Sequence, residues 1–192
     1  MKLLVLDNYD SFTYNLVQIL EQLTGEPVDV YRNDKISLEA VAAYDKILLS
    51  PGPGLPSESG ILLDLIKTYG PTKSILGVCL GEQAIGEVYG AQLENLSQVF
   101  HGVSTDCVLT EAKSPILHNL PERFTIGRYH SWVVRKEGFP QDSLEITAVD
   151  DNGQIMGLQH KHYDVQGVQF HPESVLTPEG RKILENWLGS AR

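Results

Sequence analysis

Apolar positions fall into two textures along this chain. Up to about residue 90, short continuous apolar runs alternate with segments whose apolar residues recur every three or four positions. Leu3–Leu6, Val28–Tyr31, Lys46–Ser50 and Ser74–Val78 are such runs, the pattern of strands covered on both faces. Between them, Leu16, Ile19, Leu20 and Leu23 form one apolar face of a helix from about Thr13 to Leu23, which Asp10 or Ser11 can cap. Leu38–Tyr44 predicts a weak helix, Gly60–Tyr69 another, and the stretch after Val78 a third that ends near Tyr89-Gly90. Strands alternating with helices predict a parallel sheet.

Beyond residue 90 the pattern changes to short strands separated by Gly, Pro, Asp or Asn. These are Gln92–Leu96, Ser104–Thr110, Phe124–Arg128, Trp132–Val134, Leu144–Val149, Ile155–His160 and Val165–Phe170, with Asp151-Asn-Gly153 as a hairpin turn. This half is expected to add antiparallel strands to the edge of the sheet. Thr177 as N-cap and Pro178 as first helical residue predict a last helix ending near Trp187. The fold class is therefore α/β: a mostly parallel central sheet flanked by helices, with added antiparallel strands. There is no repeat or linker, so one domain is expected over residues 1–192.

Charge and cysteine usage narrow the function. The formal net charge is −10 and the 15 Lys and Arg are scattered, which argues against a nucleic-acid groove or an anionic membrane surface. No apolar stretch reaches the length of a membrane span, and Lys2 precedes only Leu3–Leu6 before Asp7, too short for a signal peptide. Two cysteines, Cys79 and Cys107, make no disulfide framework, so a reducing cytoplasm is expected. Cys107 alternates with Thr105 and Leu109 in a strand-like run and reads as a small buried hydrophobe.

Cys79 is different. Gly77-Val-Cys79-Leu-Gly81 stands between a strand and a helix, the form of a nucleophile elbow with cysteine at the tip. A residue in that strained turn needs neighbours without bulk, which Gly77 and Gly81 supply. The helix N-terminus favours a thiolate, and the Leu80 N–H is free to face an oxyanion. The pentapeptide alone equally fits a buried structural cysteine beside two packing glycines.

Two further segments bear on it. Ser50-Pro-Gly-Pro-Gly-Leu-Pro56 ends the third strand as a stiff loop with Gly52 and Gly54 amides exposed, and it falls where an open parallel sheet makes its ligand crevice. A rigid surface turn is the other reading. His171 and Glu173 follow the last strand with Pro172 between them, so both project along one line and the carboxylate can orient the imidazole. Of the other histidines, His160-Lys-His162 reads as a polar turn rather than a metal pair, His101 and His118 sit in loops, and His130 reads as structural or substrate-lining, with nothing beside it to orient it.

Pro51-Gly-Pro-Gly54, Gly77-Val-Cys-Leu-Gly81 and Phe170-His-Pro-Glu173 together resemble the class I (triad) glutamine amidotransferases, in the expected order and over essentially the whole chain. Leu6-Asp-Asn-Tyr-Asp-Ser-Phe-Thr-Tyr-Asn-Leu16 and the stretch Gln169–Thr177 narrow the likeness to the small glutaminase subunits of anthranilate synthase and aminodeoxychorismate synthase. The resemblance implies a flavodoxin-like architecture, with Cys79 as nucleophile, His171 as base and Glu173 orienting it. It implies oxyanion donors at the backbone of Gly54 and Leu80, and a glutamine site made by Gly52, Pro53, Gly54, Gln83, Ser131 and Trp132. Gln83, one turn beyond Cys79 on the same helix face, makes sense on spacing as well.

The resemblance further implies that glutamine is hydrolysed with no metal or organic cofactor in this chain. Ammonia would pass to a separate chorismate-binding large subunit, which would use Mg²⁺. An exposed apolar patch near Cys79 is expected to mark the contact. The sequence departs from the family pattern at Glu82 (commonly histidine), Trp132 (more usually leucine) and Val103 (often lysine). Glu82 as a carboxylate near the elbow would oppose thiolate formation. Two other classes remain open on the residues alone: a free-standing cysteine hydrolase of another amide, and a non-catalytic regulatory subunit.

Overall fold

The first strand, β1 (Leu3–Asp7), has Leu3 and Val5 in one apolar cluster and Leu4 and Leu6 in another, all buried, so it must lie between two layers. In the computed structural model, which describes residues 1–190, it does. Helix α1 (Thr13–Thr24) buries Leu16, Val17 and Leu20 on the Leu3–Val5 side. Each such side chain contributes about 1.5–3 kcal/mol when fully buried. Strands β2 (Asp29–Arg32), β3 (Lys46–Leu49) and β4 (Ser74–Val78) follow, with helix α2 (Leu62–Tyr69) between the last two and α3 (Leu80–Val88) after them. The second half contributes β5 (Leu93–Leu109), β6 (Arg123–Val134), β7 (Leu144–Asp150), β8 (Ile155–His160), β9 (Val165–Val168) and α4 (Gly180–Gly189).

The nine strands among the described residues join one sheet in the order β2-β1-β3-β4-β9-β8-β7-β5-β6. The first four pair in parallel, and β9 also pairs parallel to β4 (Ile75 opposite Val165), inside the sheet rather than in an antiparallel edge. The antiparallel additions are β8, β7, β5 and β6. One face is covered by α1 and α4, with Trp187 of α4 fully buried, and the other by α2 and α3. Because β1, β3, β4 and β9 run the same way, the loops after Asp7, Leu49, Val78 and Val168 all open at one end.

Several local expectations are corrected. Neither Asp10 nor Ser11 caps α1; its N-cap is Phe12, and the turn before it is held by Asp7, whose Oδ1 accepts the amides of Tyr9 and Asp10 and the Thr13 hydroxyl at 2.9–3.1 Å. Leu38–Tyr44 forms only a 3₁₀ turn over Glu39–Ala43. Gln92–Leu96 and Ser104–Thr110 belong to one strand, β5, and Phe124–Arg128 and Trp132–Val134 to one, β6. The sequence breaks at Ser97-Gln98 and Gly102 are register shifts inside a long ribbon rather than loops, with Gly102 at φ 68°.

Helix α4 starts at Gly180 with Glu179 as N-cap, two residues later than expected. Thr177 has a different task. Its hydroxyl donates to the His171 carbonyl at 2.7 Å and accepts the Gly127 amide at 2.9 Å, which clamps the segment after β9 onto β6.

Candidate active site

Cys79 joins β4 to α3 with φ 54° and ψ −103°, a backbone conformation that costs a non-glycine residue on the order of 1–3 kcal/mol. The surroundings impose it. The Cys79 amide donates to Val168 of β9 at 2.9 Å, and a Cβ on Gly77 would stand 2.5 Å from the Gly81 backbone, one on Gly81 2.5 Å from the Leu49 carbonyl. Only glycine lets the strand, the turn and the helix approach this closely. Cys79 is buried but keeps 6% of its surface.

The imidazole of His171 arrives from the segment after β9. Its Nδ1 bonds Oε1 of Glu173 at 2.5 Å, and both side chains are buried. His171 Nε2 has no partner in hydrogen-bonding geometry. Cys79 lies close enough to the ring to act on it electrostatically. Burial works against an imidazolium, but Cys79 and Glu173 outweigh it and raise His171 to about 10. The His171 and Tyr129 rings lie 4.8 Å apart, and the Tyr129 carbonyl is 4.0 Å from the Cys79 sulfur, so β6 flanks both groups.

A raised histidine stabilises the fold through its proton, fully below its unfolded value of about 6.5 and less as pH climbs toward 10. Glu173→Gln removes one of the groups that hold that proton. For the glutamine hydrolysis that the resemblance implies, we expect kcat to fall on the order of 100-fold, with the alkaline limb of its pH profile moved to lower pH. An alkaline limb at the wild-type position would show that Glu173 does not tune His171.

The expected glutamine-binding residues come together in part. Gly52 lies against the start of α3, where a Cβ would meet Leu80 Cδ2 at 3.0 Å and the Asn8 carbonyl at 2.4 Å. Gly54, at φ 71°, and Pro53 are exposed at the loop tip, and Leu80 opens α3, whose first-turn amides have no helical partner. Gln83 Nε2 donates to the Trp132 carbonyl at 2.8 Å and to Gln169 Oε1 at 3.1 Å. The Trp132 contact is made by main chain, so tryptophan in place of leucine leaves it intact. Ser131 is half-buried on β6 between His130 and Trp132.

Other residues were not singled out by sequence. Asn8, Asn33 and Ser50 form a buried network that ties the loops after β1, β2 and β3 together, with Asn8 bonded to Ser50 twice at 2.8 Å and to Asn33 at 3.0 Å. Arg128, fully buried on β6, pairs with Asp150 at 2.8 Å and packs its guanidinium 3.6 Å from the Phe100 ring centre. Polar residues at buried strand ends were the available signal. His130 is structural as expected, but it is oriented: Arg128 Nε donates to its Nε2 at 3.1 Å, so Nδ1 carries the proton and donates to the Trp132 carbonyl at 3.0 Å. Burial and the Arg128 charge lower it to about 3.

Cys107 is fully buried, and burial raises its thiol to about 12. His160 Nδ1 accepts the amides of His162 and Tyr163 and so closes the turn between β8 and β9.

Glu82 modifies one expectation. It is completely buried on α3, where a Cβ on Gly167 would touch its Cγ at 2.7 Å, and neither carboxyl oxygen has a hydrogen-bond partner. Burial raises it well above its ordinary 4.5, which favours the neutral acid and weakens the charge it could set against a thiolate. The native protein then holds a proton that the unfolded chain releases above about 4.5, and stability falls as pH rises, at roughly 1.4 kcal/mol per unit until Glu82 ionises in the fold. Glu82→Gln should lose that slope. Denaturant melts of both proteins at pH 6 and 8 test it: a gain by the variant that grows with pH is expected, and parallel pH dependences would contradict it.

A cysteine in a strained strand–helix turn with a carboxylate-paired imidazole, at the open end of a parallel sheet, is an arrangement for acyl transfer through a thioester. Residues 4–191 match the sequence model of the class-I glutamine amidotransferases, and the chain belongs to that family. It is 48% identical over 191 residues to anthranilate synthase beta subunit 1, chloroplastic, of Oryza sativa subsp. japonica, covering 97% of this chain and 66% of that protein. The chain thus spans just under two thirds of the rice protein's length.

It is also 44% identical over 200 residues to anthranilate synthase component 2 of Pseudomonas aeruginosa, covering 97% of this chain and 94% of that one. Among solved structures, a glutamine amidotransferase from Thermotoga maritima superposes with a TM-score of 0.79 at 13% identity over 99% of each chain, a likeness of fold.

Proposed function

We propose that this chain is the glutaminase subunit of an anthranilate synthase, working in the cytoplasm for tryptophan biosynthesis. The observation that carries the chemistry is the meeting of Cys79 with the His171–Glu173 pair, which lie 92 and 94 residues further along the chain (171 − 79; 173 − 79), at one end of the sheet. In this reading the Cys79 thiolate attacks the side-chain amide carbon of glutamine. Backbone N–H groups of Gly54 and Leu80 hold the oxyanion, each worth about 3 kcal/mol. His171 gives its proton to the departing ammonia, and a glutamyl thioester remains. Water, deprotonated by His171, then releases glutamate and the free thiol.

Gln83 Nε2 is committed to the protein, so the group it offers glutamine is its Oε1, an acceptor for the α-ammonium. The backbone of Gly52–Gly54 and of Ser131-Trp132 completes the site. Nothing in these steps calls for a metal, and Mg²⁺ belongs to the partner.

The partner is a chorismate-binding large subunit that takes the ammonia. Apolar side chains stand exposed on the loop after β1 and the segment after β9: Tyr9, Phe12 and Val175, the last 96% exposed two residues after Glu173. Phe12 also contacts the Tyr129 and His171 rings at 5.6 and 6.2 Å, so a subunit docked on Phe12 is one side chain away from the imidazole.

The test is to purify the chain with a candidate large subunit and measure anthranilate formation from chorismate and glutamine, and ammonia release with and without the partner. Anthranilate formed from glutamine, with ammonia release stimulated by the partner, is expected. Aminodeoxychorismate as the product would move the chain to folate synthesis. No ammonia release in any combination would leave it a regulatory subunit, and release from other amides but not glutamine a different hydrolase.

A further inference from the structure

One residue stands between the nucleophile and the glutamine-facing side chain and has no part in the steps above. Gln169, fully buried immediately after β9, places Nε2 3.5 Å from the Cys79 sulfur and Oε1 3.1 Å from Gln83 Nε2. Its neighbours determine which way its amide points. The Trp132 carbonyl can only accept, so the Gln83 atom bonded to it is the NH₂ group. That NH₂ needs an acceptor on Gln169, which leaves the Gln169 NH₂ facing the sulfur. The Trp132 carbonyl is itself held by His130, His130 by Arg128, and Arg128 by Asp150.

We propose that Gln169 is a positioning residue for the nucleophile: its side-chain N–H, aimed through Gln83 and the Trp132 carbonyl, holds the Cys79 sulfur in line and stabilises it once it has lost its proton. The proposal deepens the glutaminase reading and rests on it. An N–H···S⁻ bond at a buried sulfur is charge-assisted and stronger than its neutral counterpart. The other neighbour of the sulfur, the Tyr129 carbonyl at 4.0 Å, accepts from a thiol and gives a thiolate nothing. The charged and titratable groups gathered here are His171 and Glu173 after β9, Asp10 from the loop after β1, which feels both, and Glu82 on α3. His171, protonated up to about 10, favours the thiolate by its charge, and Gln169 adds a neutral donor at the sulfur whose presence does not change with pH.

The test follows iodoacetamide alkylation of Cys79 in the full chain from pH 5 to 10 by mass spectrometry, with the fully buried Cys107 as internal control. Gln169→Leu should slow alkylation at pH 7 by about tenfold or more and raise the pH of half-maximal rate by about one to two units, the scale of a hydrogen bond to a charged group. Gln169→Glu keeps the shape and the acceptor for Gln83 but sets an oxygen against the sulfur, and should shift the profile further. Both should lower kcat for glutamine with KM changed less.

Alkylation profiles that coincide with wild type, or a KM effect without a profile shift, would overturn the proposal. If neither variant folds, the ¹⁵N–H₂ resonance of Gln169 in the wild-type protein decides it: the signal should titrate in step with Cys79 alkylation, and a flat response rejects it. Wild type that alkylates as described but releases no ammonia from glutamine would fault the glutaminase reading and leave the role of Gln169 standing.

Discussion

Cys79→Ser should remove ammonia release from glutamine by on the order of 10⁴-fold or more, while the complex with its large subunit still makes product from added ammonium. The scale is that of acyl-transfer enzymes stripped of their nucleophile. Serine fits the space and the strained turn, so the cost is chemical. A hydroxyl is far less acidic than a thiol, so serine offers no ready anionic nucleophile near neutral pH. Coupled ammonia assays with glutamine or ammonium sulfate as nitrogen source separate the two activities. Loss of both would mean that Cys79 is structural, and retention of the glutamine reaction would remove it from the mechanism.

The largest expected effect on stability lies elsewhere. Asp150→Ala should destabilise the chain by about 3–5 kcal/mol and lower its melting temperature by on the order of 10 °C. Asp150 and Arg128 are both buried, and the carboxylate uses both oxygens: Oδ2 on Arg128 at 2.8 Å, Oδ1 on the amides of Asn152 and Gln154 at 2.9 and 2.8 Å. Removing it strands a guanidinium in a protein interior and loosens the hairpin turn after β7.

The damage should reach the site, because Arg128 holds His130 and His130 holds the carbonyl that receives Gln83. A raised KM for glutamine is therefore expected along with the lower melting temperature. Replacing both partners with apolar residues of similar size, Arg128→Met with Asp150→Leu, should recover part of the stability, since no charge is then left buried alone. Equal melting temperatures for Asp150→Ala and wild type would show the pair to be energetically idle.

The amino-acid sequence determined the elements that local chemistry controls. Continuous apolar runs announced β1, β3 and β4, and the 3.6-residue spacing of Leu16, Ile19, Leu20 and Leu23 announced α1. The glycines two residues either side of Cys79 announced the elbow, since only a strained turn packed against backbone excludes side chains on both flanks. His171 and Glu173 were legible as a pair because two residues and a proline suffice to align them.

What tertiary structure alone decided depends on contacts between distant segments. Residues 97–103 read as a break and are a bulged part of a ribbon, because pairing with β6 overrides local turn preference. The last strand read as an edge addition and lies inside the sheet, since its partner β4 is about 90 residues earlier. Of the chain from Asp150 through Arg128, His130, the Trp132 carbonyl, Gln83 and Gln169 to the sulfur, only Gln83 left a periodic trace, by its spacing from Cys79. Asp150, Arg128, His130 and Gln169 are ordinary polar residues in sequence, and only burial gives their hydrogen bonds a direction and a cost if they are missing.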